Sequence, residues 1–189
     1  MHLQQNIWSD ENLISVLKEN GIVVMPTDTL YGIVGRAQNI STVQRIYNLK
    51  KRAPGKPCII LISDVNQLKN FSITLSEEQK DKLKKYWPGP VSIILDCPDD
   101  SLLYLHRRTK TLSFRLPSPK ALRNLLLKIG PLIAPSANPE GLPPAQNISE
   151  AKKYFGDSVD FYLDGGEING KHSKLIQLRK DGSVTILRK

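Results

Sequence analysis

The chain has 189 residues, of which 40% are hydrophobic and 24% charged, a composition that excludes a disordered or fibrous protein. We expect residues 1–189 to form a single domain, because domains typically contain roughly 100–200 residues. Lys and Arg number 27 against 18 Asp and Glu, so the formal net charge is +9. This excess favours a polyanionic partner, either nucleotide phosphates or RNA, although a solvated lysine-rich surface would produce it equally well.

Neither export nor membrane insertion is indicated by the sequence. The longest apolar run, Cys58 to Ile62, is far below the ~20 residues that span a bilayer. The first six residues lack the apolar core of a signal peptide. The two cysteines, Cys58 and Cys97, do not have the spacing of a metal site or a disulfide framework. We therefore expect a cytoplasmic protein with no membrane contact.

Helix and strand patterns alternate along the chain. The elements predicted for the first half are a helix from Ser9 to Gly21, a strand over 22–25 ended by Pro26, a helix from a capping box at 41–44 to about Lys50, a strand over 58–62, and a helix from a capping box at 76–79 to Trp87. The second half is predicted to hold strands over 91–95, 111–116, 131–134, 175–178 and 184–187, with helices from Ser118-Pro119 to Gly130 and over 148–155. This order predicts an α/β fold with hairpin pairing near the end.

The segment Pro26 to Gly32 (PTDTLYG) directly follows a buried strand. Ligands of open α/β sheets gather beyond the carboxyl ends of strands, so these threonines are candidate ligand contacts. An ordinary turn in which Asp28 and the threonines cap their own backbone explains the segment equally well. The segment Ala134 to Asn138 (APSAN) follows another strand in the same way, and Ser136 and Asn138 could contact a phosphate or ribose or merely form a turn.

Four cations surround the end of the second predicted helix, in the segment Lys50 to Lys56. Arg binds phosphate oxygens in pairs and Lys adds point charge, so the segment could hold a triphosphate. Cations in the last turn of a helix also offset its dipole, which explains Lys50 but not Arg52 or Lys56 beyond the helix.

The segment Thr111 to Leu116 alternates with period two. Leu112, Phe114 and Leu116 are predicted to face the core, which leaves Thr111, Ser113 and Arg115 on the opposite face. If that face lines a cleft, Arg115 is a natural partner for a carboxylate; if it faces bulk water, Arg115 is merely solvated.

The sequence argues against three common site types. The segment Gly165 to His172 nearly matches a P-loop, but His172 stands where Ser or Thr is required and no helix pattern follows; a glycine turn that presents Ser173 to a ligand remains open. The three histidines are scattered and no Gly-x-Ser-x-Gly segment exists, which argues against a serine hydrolase or a His/Cys metal enzyme.

In this order, the segments resemble the YrdC-like family of threonylcarbamoyl-AMP synthases. The matching segments are Pro-Thr-Asp-Thr-Leu-Tyr-Gly at 26–32, Lys-x-Arg at 50–52 with Lys56-Pro57, Trp-Pro-Gly-Pro at 87–90, Phe-Arg-Leu-Pro at 114–117, Pro-Ser-Ala-Asn at 135–138 with Gly141, and Asp-Gly-Gly at 164–166 with Ser173. The resemblance implies an open twisted mixed sheet flanked by helices, with a large basic concave cleft. The length is similar to the short family form that lacks an extra C-terminal domain.

The resemblance also implies a reaction and its site. L-threonine, bicarbonate and ATP would give threonylcarbamoyl-AMP and pyrophosphate, for the threonylcarbamoyladenosine modification of tRNAs that read ANN codons. The family pattern places Thr29, Arg115 and Ser173 at threonine. It places ATP at Lys50, Arg52 and Lys56 (the first two as catalytic residues), with Thr111, Ser136, Asn138 and Arg188 around the nucleotide. Mg²⁺ would arrive on the nucleotide, with no metal site on the protein, and a downstream threonylcarbamoyl transferase machinery would receive the product.

The alternative is a non-catalytic RNA-binding module that uses the same cleft for tRNA or ribosomal RNA. It predicts steeply salt-dependent RNA affinity without ATP turnover. Aromatic residues make up only 6% of the chain and show no stacking pattern of the RNP type, which argues against this alternative. Direct tRNA binding by an enzyme remains open.

Overall fold

The computed structural model describes residues 7–189; the expectation that no signal core is present concerns residues outside this range. Within it, α-helices span Glu11–Lys18 (α1), Ile40–Lys50 (α2), Glu77–Tyr86 (α3), Leu103–His106 (α4), Lys120–Ile129 (α5) and Ile148–Phe155 (α6). Strands span Val23–Pro26 (β1), Tyr31–Arg36 (β2), Ile59–Leu61 (β3), Val91–Asp96 (β4), Thr111–Arg115 (β5), Leu132–Ile133 (β6), Phe161–Tyr162 (β7), Lys174–Leu178 (β8) and Val184–Arg188 (β9).

All nine strands belong to one mixed, twisted sheet with the order β7-β1-β2-β6-β3-β5-β4-β8-β9. The pairs β1–β7, β3–β5 and β4–β8 are parallel, and the other neighbours are antiparallel. Strands β8 and β9 form the predicted hairpin, in which Leu178 lies opposite Val184. The predicted α/β fold with one sheet flanked by helices is therefore confirmed.

Helices cover both faces of the sheet because successive side chains of a buried strand point to opposite sides. In β1, Val24 packs in a cluster with residues of α2, α3 and α6, whereas Val23 and Met25 pack with α1 and α5 on the other face. Helix α5 contributes Leu122, Leu125, Leu126 and Ile129 at helical spacing to that second cluster. Burying one such side chain contributes about 1.5–3 kcal/mol, so this stripe fixes α5 on the sheet.

Strand β2 was not predicted: its first two residues, Tyr31 and Gly32, were interpreted as the end of a candidate ligand-binding loop, and residues 33–36 were assigned to no element. Two glycines interrupt its apolar pattern, and they are needed for close packing. A Cβ atom at Gly35 would lie 2.3 Å from Thr42 Cγ2 of α2. The loop between β1 and β2 is consequently only 27–30, and Pro26 ends β1 as its last residue.

The predicted N-terminal capping residue is confirmed for α3 and is wrong for α2 and α5. The capping box of α3 is confirmed: the Ser76 hydroxyl accepts a hydrogen bond from the Gln79 amide, and the Gln79 side chain accepts one from the Ser76 amide. The box predicted at 41–44 is wrong, because Asn39 Oδ1 accepts from the Thr42 amide and α2 therefore starts at Ile40. Ser118 does not cap α5 either, since the residue before that helix is Pro119.

No helix within residues 7–189 combines the length and apolar character needed to cross a membrane.

Candidate functional site

A cavity of about 520 Å³ lies on one face of the sheet. It crosses the adjacent strands β3, β5, β4, β8 and β9, and the β1–β2 loop closes one end. Among the described residues that line it, four are Arg or Lys and none is acidic. The predicted site residues in the lining are Thr29, Arg52, Lys56, Thr111, Arg115, Ser136, Ser173 and Arg188. Eight of the ten predicted residues therefore share one cavity, although they come from six separate segments of the chain.

Strand β5 forms the central part of the cavity wall. Thr111, Ser113 and Arg115 alternate with Leu112 and Phe114, which are buried in the core as predicted. Residues two apart on a strand are separated by about 7 Å, so the three polar side chains form a row across the cavity. One strand thus presents a hydroxyl at one end of the row and a guanidinium at the other.

Arg115 is held in place by a carboxylate from the β1–β2 loop. The side chains of Arg115 and Asp28 are each 3% exposed. Asp28 Oδ1 accepts a hydrogen bond from Arg115 Nε at 3.0 Å and forms an ion pair with Nη2 at 2.9 Å. Within residues 7–189, Nη1 of Arg115 donates no hydrogen bond, which leaves one edge of the guanidinium for a ligand carboxylate. Burial raises the pKa of Asp28 and the charge of Arg115 opposes this shift.

The β1–β2 loop is ordered by its first threonine. Thr27 Oγ1 donates to the Leu30 carbonyl at 2.7 Å and accepts from the amides of Thr29 and Leu30 at 3.3 Å each. The threonine therefore caps the turn, as one interpretation of the sequence held, but Asp28 does not, because its side chain points to a residue 87 positions away. The capping interpretation of this loop therefore holds for Thr27 and is wrong for Asp28, and the ligand contact of the threonines stays a prediction.

The loop between α2 and β3 carries Arg52 and Lys56, the two cations of the predicted phosphate segment that line the cavity. Arg52 Nε donates to the Lys56 carbonyl at 2.8 Å and Nη2 donates to the Pro57 carbonyl at 3.0 Å, so Arg52 stabilises its own loop at the cavity edge. Lys56 Nζ forms an ion pair with Glu140, and the Ala53 amide donates to the other carboxylate oxygen of Glu140 at 2.5 Å. This acidic residue ties the loop to the segment after β6.

Lys50 and Asn138 do not line the cavity, in contrast to the other predicted site residues. Lys50 is 2% exposed, and its Nζ donates to the carbonyls of Ser136 and Asn138 at 2.5 Å each. Asn138 Oδ1 accepts from Ser136 Oγ at 2.6 Å, while Nδ2 donates to two backbone carbonyls. Burial lowers the pKa of Lys50 to about 8. Both side chains thus support the 136–138 turn from behind, and only Ser136 of that turn reaches the cavity.

The hairpin at the end of the chain completes the opposite wall. Ser173 Oγ is hydrogen-bonded to Ser92 Oγ at 2.8 Å. Arg188 Nε and Nη2 donate to the Ser173 carbonyl at 3.0 and 2.8 Å, and Arg188 lies in β9. The penultimate residue is thereby fixed beside the cavity.

The segment 164–172 lies along the cavity rim. The Tyr31 hydroxyl donates to the Gly166 carbonyl at 2.8 Å and accepts from the Gly165 amide at 2.9 Å. A Cβ atom at Gly170 would lie 1.8 Å from the Thr29 carbonyl oxygen, so only glycine permits this close approach. His172 lines the cavity, and burial lowers its pKa.

The polar residues in or beside the cavity that were not predicted as functional include Asp28, Tyr31, Ser113 and His172. The alternation in β5 already placed Ser113 on the face of Arg115, so that pattern could have found it. Asp28 and Tyr31 act through partners 87 and 135 positions away, and no local pattern indicates such pairs.

A protein-held magnesium site does not fit these residues. The cavity lining lacks carboxylates, and no group of three or more His, Cys, Asp or Glu side chains within residues 7–189 could hold a metal ion. Mg²⁺ prefers oxygen ligands such as carboxylates and phosphates.

Comparison with known proteins shows which family the chain resembles. The model of the Sua5/YciO/YrdC family, described as "Telomere recombination", matches residues 15–189. The chain is 30% identical to a threonylcarbamoyl-AMP synthase of Hahella chejuensis over 96% of this chain and 98% of that protein. It is 32% identical to a threonylcarbamoyl-AMP synthase of Bacillus subtilis over 80% of this chain, although the match spans only 44% of that longer relative.

A solved structure has a closely similar fold. The crystal structure of P. abyssi Sua5 complexed with L-threonine superposes with a TM-score of 0.84 at 28% identity. The superposition covers 96% of this chain and 54% of that protein, so the chain spans about half the length of this relative.

Proposed function

The chain belongs to the Sua5/YciO/YrdC family, and from this premise we propose that it is a threonylcarbamoyl-AMP synthase. The observation that carries the proposal is the shared cavity. It brings Arg115, with its free guanidinium edge, into one space with Arg52, Lys56 and Ser136. A basic cavity with an additional carboxylate-binding arginine suits a reaction that joins an amino acid to a nucleotide.

The proposed reaction has two steps. The amine of L-threonine combines with bicarbonate to give a carbamate and water. A carbamate oxygen then attacks the α-phosphorus of ATP, the bond from that phosphorus to the bridging oxygen breaks, and pyrophosphate leaves. The carbamate is already an anionic nucleophile, so no side-chain base is required for the second step. Catalysis would come from the cavity residues positioning two anions, the carbamate and the triphosphate, and neutralising their charge.

We propose that threonine occupies the Arg115 end. Its carboxylate would accept hydrogen bonds from the free guanidinium edge, beside Thr29 and Ser173. Asp28 acts as a positioning residue, because its two contacts with Arg115 leave the guanidinium little freedom to turn. Charge-assisted bonds to a carboxylate are the strong ones, and the low exposure of Arg115 protects them from competing water.

ATP would occupy the other end of the cavity. Arg52 and Lys56 supply positive charge near the phosphates, and Thr111 and Ser136 supply hydroxyls. Arg188, which is hydrogen-bonded to Ser173, would add its charge to the nucleotide from the threonine side. Lys50 and Asn138 would contribute by holding the Ser136 turn, since the polar atoms of both are already engaged there. Mg²⁺ is expected as a companion of the triphosphate.

An ATP–pyrophosphate exchange assay tests the proposal. We expect exchange that requires both L-threonine and bicarbonate. Exchange that is insensitive to either compound, or no exchange at all, would contradict the proposal. A non-catalytic RNA-binding module would instead show steeply salt-dependent RNA binding with no exchange.

The wider setting of the reaction is also a proposal. We expect the product to serve the threonylcarbamoyladenosine modification of ANN-reading tRNAs in the cytoplasm. A downstream threonylcarbamoyl transferase would consume it. The net charge of +9 is consistent with contact between this enzyme and tRNA, which filter binding at increasing salt concentration would measure.

A further inference from the structure

Ser113 differs from every other hydroxyl-bearing residue of the cavity. Within residues 7–189, the seven other Ser, Thr and Tyr side chains of the lining each have a hydrogen-bond partner: Thr27, Thr29, Tyr31, Thr109, Thr111, Ser136 and Ser173. Ser113 Oγ has none, and the residue is 7% exposed. A buried hydroxyl without a partner costs stability, so it is a candidate for a group that is satisfied only when a ligand is bound.

The neighbours of Ser113 on the two adjacent strands are apolar. Ser113 lies opposite Ile59 of β3 on one side and Ile94 of β4 on the other. Directly paired residues on neighbouring strands project to the same face, and both isoleucines line the cavity. The middle of the cavity floor is therefore apolar with a single polar atom. A serine hydroxyl has three staggered positions, so it can turn toward a ligand without strain.

The position along β5 indicates what that ligand group is. Ser113 lies about 7 Å from Thr111, on the proposed nucleotide side, and about 7 Å from Arg115, on the proposed threonine side. The group between an Arg-bound amino acid carboxylate and an ATP α-phosphate is the one that joins them. In the proposed reaction this group is the carbamate, a small planar anion with oxygen acceptors.

We propose that the Ser113 hydroxyl donates a hydrogen bond to the carbamate formed on the threonine amine, and so holds it over the apolar floor for attack on the α-phosphorus. This inference rests on the proposed function. The hydroxyl makes no contact with free threonine, so its effect is confined to the bicarbonate-dependent part of the reaction.

The test compares two serine-to-alanine variants. Ser113→Ala removes the proposed contact. Ser63→Ala is the matched control, because Ser63 Oγ is also buried and without a partner but does not line the cavity. For each protein, the exchange rate is measured against bicarbonate concentration at saturating ATP and L-threonine. The Kd of L-threonine alone is measured by calorimetry, and thermal melting reports folding.

We expect Ser113→Ala to lower kcat/KM for bicarbonate by about 10- to 100-fold, the range for losing a hydrogen bond to a charged group. Its threonine Kd should match the wild type, and Ser63→Ala should match the wild type in both the bicarbonate kinetics and the threonine Kd. The melting temperature of neither variant should fall, because each substitution removes a buried hydroxyl that has no partner. Ser113→Thr, which keeps the hydroxyl, should retain the bicarbonate dependence.

Two results would overturn the inference about Ser113. One is an unchanged kcat/KM for bicarbonate in Ser113→Ala. The other is a weakened threonine Kd in that variant, which would place Ser113 in the threonine pocket. Failure of the proposed function is distinguishable from both, because wild-type protein would then show no bicarbonate-dependent exchange, and the Ser113 inference would fall with it.

Discussion

The burial of the Lys50 ammonium predicts how the free energy of unfolding changes with pH, and this change can be measured without any substrate. Lys50 is 2% exposed and supports the 136–138 turn through two carbonyl contacts. Burial lowers its pKa from 10.5 to about 8. Between these two values the unfolded chain keeps the proton and the folded protein releases it, so the free energy of unfolding rises with pH in this window.

The size of the effect follows from the two pKa values. Lowering a lysine pKa from 10.5 to about 8 makes the charged form costlier by about 3 kcal/mol in the folded protein. At pH 7 almost all of this cost is present. At pH 9.5 the folded protein has lost the proton, and about 2 kcal/mol of the cost is relieved. The wild type should therefore gain about 2 kcal/mol of stability from Lys50 over this interval.

Denaturant unfolding of wild type and Lys50→Met at pH 7 and pH 9.5 measures this gain. Groups that do not interact with Lys50 contribute equally to both proteins, so the change with pH in the stability difference reports mainly on Lys50. Lys50→Arg is the control, because its guanidinium keeps its charge throughout and its pH dependence should follow that of the Met variant. A stability difference that stays constant, or that shifts against the wild type as pH rises, would refute the reasoning.

The remaining predictions concern the cavity. Arg52→Ala should abolish ATP–pyrophosphate exchange in a protein that stays folded, as circular dichroism would show. Lys51→Ala, which changes an exposed neighbour outside the lining, should retain exchange, and an undiminished rate in Arg52→Ala would remove Arg52 from the site. Arg115→Met should weaken L-threonine binding about 10- to 100-fold while the Kd of ATP stays unchanged, as calorimetry would show; equal weakening of both would contradict a carboxylate-specific role. Gly170→Ala should raise the KM for threonine, because its Cβ would overlap the Thr29 carbonyl and displace the cavity rim; unchanged kinetics would show that the rim adapts.

Much of the fold was predictable because its strands and helices carry strong local patterns. The alternation in β5, the buried strands β1 and β3, and the span of α6 all agree with the sequence interpretation within a residue or two. Strand β2 was missed because its apolar run contains Gly35, and glycine within a run is typical of a turn. Here the glycine is needed instead for close packing against α2. The start of α2 was misplaced because Asn39 and Ser41 are both good caps, and only the folded backbone selects between them.

Most cavity residues were predictable from the sequence, but the contacts that hold them in place were not. The motif order placed eight residues that the fold does bring into one cavity. Sequence could not tell that Lys50 turns inward to carbonyls rather than outward to a ligand, because a helix-terminal lysine is usually solvated. It also could not pair Asp28 with Arg115, since a long-range ion pair leaves no trace in local spacing.

Isotope labelling tests the central claim most directly. Wild-type protein is incubated with ATP, L-threonine and ¹³C-bicarbonate, and the adenylate product is analysed by mass spectrometry. The account predicts one ¹³C atom in each adenylate that contains threonine. An adenylate of threonine without the label would mean that the amino acid carboxylate, and not a carbamate, attacks the nucleotide, and would contradict the account.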